Sequence, residues 1–104
     1  MKRVEAIIPK ENLDKVIGAI RKIGVGGLTV GDCQGQGAAE PPLVGEYFSR
    51  KWIVTVVDDD KSDMVMSAIA DAGCSKSKGD GKIFVTNIEE SMDICTKEKG
   101  IHTL

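Results

Sequence analysis

The sequence predicts an α+β fold in which one β-α-β unit is used twice, and three observations carry that prediction. Short stretches with alternating or β-branched character are separated by two stretches with helical apolar spacing. Residues 5 to 24 repeat in residues 54 to 73 at a constant offset of 49, with Asp14 on Asp63, Val16 on Val65, Ala19 on Ala68, Ile20 on Ile69 and Gly24 on Gly73. A Gly- and Pro-rich segment with neither period, Gly35 to Arg50, separates the halves. Two such units in tandem make the ferredoxin-like architecture, a four-stranded antiparallel sheet with both helices on one face.

Each element has its own justification. Lys2 to Ile8 alternate as a strand, Val4, Ala6 and Ile8 on one face and Ile7 on the other, and Pro9 ends it. Asn12 is the expected cap of a helix whose Leu13, Val16, Ile17, Ile20 and Ile23 form one apolar stripe, and Gly24 is its left-handed stop. Gly26 to Val30 leads into a second strand reaching Cys33 or Gln34. Trp52 to Val57 is the densest run of β-branched residues and the third strand. Asp60 is the expected N-cap of the second helix, with Val65, Ala68, Ile69 and Ala72 on its buried face and Gly73 closing it. Lys82 to Val85 is the fourth strand, followed by a short helix or strand from Glu89 to Cys95 and a polar tail. The sheet face away from the helices needs a cover, and self-association into a closed ring is the simplest one.

Composition narrows the function. A chain of 104 residues holds one domain, 1–104, with 41% hydrophobic and 29% charged residues, as in soluble globular proteins. Lys plus Arg number 14 against 16 Asp plus Glu, and there are one Trp, one Tyr and two Phe, which argues against a nucleic-acid surface. Met1-Lys2-Arg3 runs straight into a strand and no long apolar run follows, so a cytoplasmic protein not inserted in a membrane is expected. Cys33, Cys74 and Cys95 are widely spaced without C-x-x-C, which favours reduced thiols over a disulfide framework, and no metal is expected. His102 stands alone in the polar tail, and Asp58-Asp59-Asp60 reads as helix capping more simply than as a cation cluster. Nothing converges as acid, base and nucleophile, so the chain is not expected to be an enzyme.

Glu5-Ala6-Ile7-Ile8, Leu13-Asp14-Lys15-Val16, Ile23-Gly24-Val25 through Leu28-Thr29-Val30, Gly35-x-Gly37, and above all Gly79-Asp80-Gly81-Lys82-Ile83-Phe84-Val85 resemble the PII nitrogen-regulatory signalling proteins. The resemblance runs nearly end to end. It implies a homotrimer with sheets lining its centre, adenine nucleotides in the clefts between subunits, and a long loop, here Gly35 to Arg50, that docks on a partner protein, often a membrane transporter. The nucleotide residues it implies are Ile7, Thr29, Gly35, Gln36, Gly37, Val56, Gly79, Asp80, Gly81 and Lys82, with Ala38, Ala39, Tyr47 and Arg50 facing an effector or partner. The bare residues agree in part: a Gly-Asp-Gly turn can present backbone N–H groups to phosphate with Lys82 beside it, although Asp-Gly before a strand is also an ordinary turn.

Several positions depart from the family pattern. Ala38 and Ala39 stand where an arginine and a glutamine are typical, and Asp93 and Cys95 where two arginines reach the phosphates. A charge-assisted contact contributes roughly 1.5–3 kcal/mol, so the loss of three cations disfavours Mg-ATP with 2-oxoglutarate. ADP, AMP or cyclic AMP becomes the expected ligand, with bicarbonate as a candidate second anion. Gly45-Glu46-Tyr47 resembles the stretch that carries a modifiable tyrosine in enterobacterial PII, and Tyr47 also reads as a contact or anchor. The alternative from another class is a trimeric ferredoxin-like interaction module with no nucleotide ligand. A metal-binding role of the CutA type would require clustered His or Cys, which the sequence does not supply.

Overall fold

A computed structural model describes residues 1–35, 48–76 and 79–104. Its elements are β1 (Lys2–Pro9), a 3₁₀ turn (Lys10–Asn12), α1 (Leu13–Ile23), β2 (Thr29–Gly35), β3 (Phe48–Val57), α2 (Asp59–Gly73), β4 (Lys82–Asn87) and a second 3₁₀ turn (Ile101–Thr103). The sheet order is β2-β3-β1-β4 with every neighbouring pair antiparallel, which is the expected ferredoxin-like topology.

The core follows from the two periodicities. Alternation along β1 and β3 turns Val4, Ala6, Ile8, Ile53 and Val57 toward the helices, where Val16 and Ile20 of α1 and Val65 and Ile69 of α2 meet them. Fully burying a Val or Ile side chain contributes about 1.5–3 kcal/mol, so this cluster supplies most of the driving force for folding. The repeat is therefore a repeat of core positions: Val16 and Val65, and Ile20 and Ile69, are all buried. Thr55, buried among them, donates its hydroxyl to the carbonyl of Gly27 at 2.6 Å and so ties the link between α1 and β2 to the sheet. Gly24 stops α1 with φ 86°, as expected of a glycine at that position, and Lys61 Nζ donates to its carbonyl at 3.2 Å.

The element ends differ from expectation in instructive ways. Asp58, not Asp60, caps α2: the strand ends at Val57, Asp58 remains extended, and its carboxylate accepts the N–H of Asp59 at 2.7 Å. Asp60 lies inside the first helical turn, where its charge still complements the helix dipole. Asn12 precedes α1 but makes no side-chain cap bond, because Lys10–Asn12 already turn as 3₁₀ after Pro9 and carry the chain into the helix. Gly73 is the last helical residue of α2, buried against Val16, and the chain leaves the helix at the extended Cys74. β2 continues to Gly35 and β3 begins at Phe48, since their pairing runs on to that last rung. Gly35 and Phe48 to Arg50, expected in the loop, are thus strand residues. Glu89 to Cys95 is neither helix nor strand; it belongs to a turn closed by the Met92–Lys99 bridge and the Asp93 N–H to Glu98 carbonyl bond at 2.9 Å.

Because Ile20 and Ile69 hold equivalent places in the core, Ile20→Ala and Ile69→Ala should each lower stability by about 2–5 kcal/mol in urea denaturation. A cost below about 1 kcal/mol for either would show that the two halves do not share the core in this way.

Candidate functional site

Directly paired residues in an antiparallel sheet share a face, so the register specifies what the side away from the helices presents. From β2 to β4, one row reads Gly31, Trp52, Ile7, Lys82, and the next reads Thr29, Val54, Glu5, Phe84. A further row holds Val56, Arg3 and Thr86, and on the other side Cys33, Arg50 and Pro9 form another. Ile7, Thr29, Gly35, Val56, Arg50 and Lys82, drawn from four strands, all lie on this face.

Near its centre the face holds an apolar group around an internally satisfied polar knot, with Lys82 and Arg50 in rows of the same face. Glu5 Oε2 accepts from Arg3 Nη2 at 2.6 Å and from Trp52 Nε1 at 2.7 Å. The carboxylate neutralises the guanidinium and fixes the indole, while Ile7, Val54, Val56 and the half-exposed Phe84 surround them.

The turn before β4 is built for close approach. Gly79 and Gly81 have φ 89° and 112°, in the left-handed region that favours glycine. A Cβ on Gly81 would lie 2.0 Å from the carbonyl oxygen of Ile7, so the turn rests directly on the β1 backbone. Ile7, Gly81 and Lys82, expected together from the sequence, are brought together here. Asp80 faces inward to its own turn: its carboxylate accepts the Ser75 N–H at 2.8 Å and pairs with the Ser75 hydroxyl. These bonds tie the turn to the residue that follows Cys74.

Other expected residues stand apart. Thr29 and Lys82 occupy the two edge strands, three strand spacings or about 14 Å across the sheet. Gly35 and Val56 are separated by four rows, about 27 Å along the strands. Gln36, Gly37, Ala38, Ala39 and Tyr47 lie outside the described residues.

A cavity of about 410 Å³ opens at the ends of β2 and β3, lined by Lys10, Asp32, Cys33, Gln34, Ser49, Arg50 and Lys51. Lys51 pairs with Asp32 across the strands, and Lys10 and Arg50 add two further cations to the lining. Of these residues the sequence points only to Arg50. The register that sets Asp32 opposite Lys51 is the signal for the rest. Among the described residues no cluster of His, Cys, Asp and Glu is arranged to hold a metal, and no helix is long and apolar enough to cross a membrane. Cys33 is half-buried, while Cys74, Cys95 and Asp93 are exposed.

A family model described as nitrogen regulatory protein P-II matches residues 1–98. Among curated proteins, the nitrogen regulatory protein P-II of Bradyrhizobium diazoefficiens is 36% identical over all of both chains. That of Rhizobium meliloti is 33% identical over all of both chains, and that of Azospirillum brasilense 35% identical over 96% of each.

The glycines of the turn make unequal predictions. Gly81→Ala drives a Cβ into the Ile7 carbonyl and should destabilise by more than the roughly 1–3 kcal/mol of backbone strain alone. Gly79→Ala meets open space and should cost only that strain. Equal melting-temperature losses for the two would contradict the seat of the turn on β1.

Proposed function

The chain belongs to the nitrogen regulatory protein P-II family, and from that membership we propose that it is a trimeric regulator that binds an adenine nucleotide between subunits and signals through residues 35–50. Regulatory signal transduction, without catalysis, is the family's role. The observation that carries the nucleotide reading is the Gly79–Lys82 turn seated on Ile7, with a cation at its end and two glycines at positive φ. Such a turn brings backbone close to a ligand and sets Lys82 beside it. Thr29 lies on the opposite edge of the sheet, an arrangement that suits a ligand shared between neighbouring subunits. The apolar face of Ile7, Trp52, Val54, Val56 and Phe84 supplies the reason for the subunits to associate.

The phosphate end decides which nucleotide is bound. With Ala38, Ala39, Asp93 and Cys95 in place of polar and cationic side chains, little remains to balance a triphosphate. ADP, AMP or cyclic AMP is therefore favoured over Mg-ATP with 2-oxoglutarate, and no metal is required. Lys10 and Arg50, at the cavity by the ends of β2 and β3, suit a small anion such as bicarbonate as the second effector. Occupation there would act on the segment that meets a partner, for which a membrane transporter is the class the family suggests. The protein would work in the cytoplasm.

Calorimetric titration with ATP, ADP, AMP and cyclic AMP, with and without magnesium, tests this reading. A mono- or diphosphate should bind without magnesium, and Lys82→Ala should weaken it about tenfold or more. Magnesium-dependent ATP binding tighter than ADP would overturn the ligand assignment. Absence of any nucleotide binding would leave a trimeric interaction module.

A further inference from the structure

The repeat breaks its apolar pattern at one core position. Thr55 stands where the first half has Ala6, at the same offset of 49, and both side chains are buried. A hydroxyl gains nothing from burial itself and needs a partner there. Ser62, also buried, donates within its own helix to the Asp59 carbonyl at 3.1 Å, whereas Thr55 reaches a different element.

That element is the link into β2, at the point where the sheet stops holding it. Pairing of β2 with β3 ends at Thr29 opposite Val54, so Thr55 has no ladder partner in β2. Its hydroxyl takes over by donating to the Gly27 carbonyl at 2.6 Å, two residues before the first rung. β2 is an edge strand, and Thr29, exposed at its start, is paired in the sheet on one side. The chain enters this rung through Gly26-Gly27, and at Gly27 neither a positive φ nor a close neighbour demands glycine. Glycine there adds conformational freedom, and a terminal rung entered through such a link opens at low free energy. At the other end of the link, Lys61 of α2 donates to the Gly24 carbonyl at 3.2 Å.

We propose that Thr55 is a positioning residue of the nucleotide site, its hydroxyl fixing the glycine link so that Thr29 is held ready for an adenine nucleotide. The proposal rests on the nucleotide reading given above. A site that is competent for a fraction of the time binds with its affinity reduced by that fraction, so the bond to Gly27 raises the apparent affinity without touching the ligand. The second half of the repeat thereby orders a ligand contact carried by the first.

Full-length variants test this by calorimetric titration with ADP and with AMP, with circular dichroism as the check of folding. Thr55→Val and Thr55→Ala lack the donor, Thr55→Ser keeps it, and Thr29→Ala removes the contact through which Thr55 acts. Each donorless variant should bind about threefold or more weakly, while Thr55→Ser stays within about twofold of the wild type. Thr29→Ala should bind more weakly too, and adding Thr55→Val to it should cost less than about twofold more, because the two residues act through one contact. Wild-type affinity in a folded donorless variant overturns the positioning role. A loss in Thr55→Ser as large as that in Thr55→Ala also overturns it, by placing the effect in packing. Wild-type affinity in Thr29→Ala, or an undiminished further loss in the double variant, does the same. If neither donorless variant folds, the hydroxyl serves the fold and the proposal fails. Each of these results leaves the nucleotide reading standing, whereas binding of neither ADP nor AMP by the wild type overturns both.

Discussion

β1 lies between β3 and β4, and because successive side chains point to opposite faces, its register divides the molecule. Val4, Ala6 and Ile8 go to the core beneath the helices, while Arg3, Glu5 and Ile7 go to the other face. A slip by one residue would exchange the two sets. It would place the Arg3–Glu5 pair under α1 and α2 and remove the Ile7 carbonyl from the turn at Gly81. Core, open face and candidate ligand turn thus depend on one antiparallel alignment. Lys2 opposite Val57 and Asn87, and Ile7 opposite Trp52 and Lys82, mark its two ends where β1 is paired on both sides.

The same division explains how a regulator can be built on so small a domain. One face is consumed by the fold, and the other carries an apolar group around a neutralised knot at Arg3, Glu5 and Trp52. Burying an isolated charge is costly, but a carboxylate that already accepts from a guanidinium and an indole can be covered by another subunit at less cost. Thr29 and Lys82 lie on opposite edge strands, so under the proposed function ligand binding would depend on neighbouring subunits. Arg50, near the start of β3, and Lys10, just after β1, both line the cavity at the ends of β2 and β3.

Much of this was legible in the sequence, for physical reasons that differ by element. The strands and helices were visible because alternation and helical spacing register one-sided burial, and the repeat was visible because Val16 and Val65, and Ile20 and Ile69, fill equivalent core positions. Gly24 showed its αL stop through glycine's tolerance of positive φ. Boundaries were less legible. Three consecutive aspartates can each cap a helix, and only the end of β3 at Val57 selects Asp58 over Asp60. Gly35 lacks strand character of its own, Phe48 follows a Gly- and Pro-rich segment, and the two are strand residues because they pair with each other. The site divides in the same way. Its glycine turn was legible as a motif, but the 2.0 Å approach of a Gly81 Cβ to Ile7 is a tertiary contact without a local signature. Lys10, Asp32 and Lys51 meet only through folding.

The central claim is that the nucleotide site is completed between subunits, and native mass spectrometry of the full chain with ADP addresses it most directly. The account predicts a trimer that takes up to three ADP molecules, with no ADP on any dissociated monomer. ADP retained by a monomer, or a trimer that takes none, would contradict it.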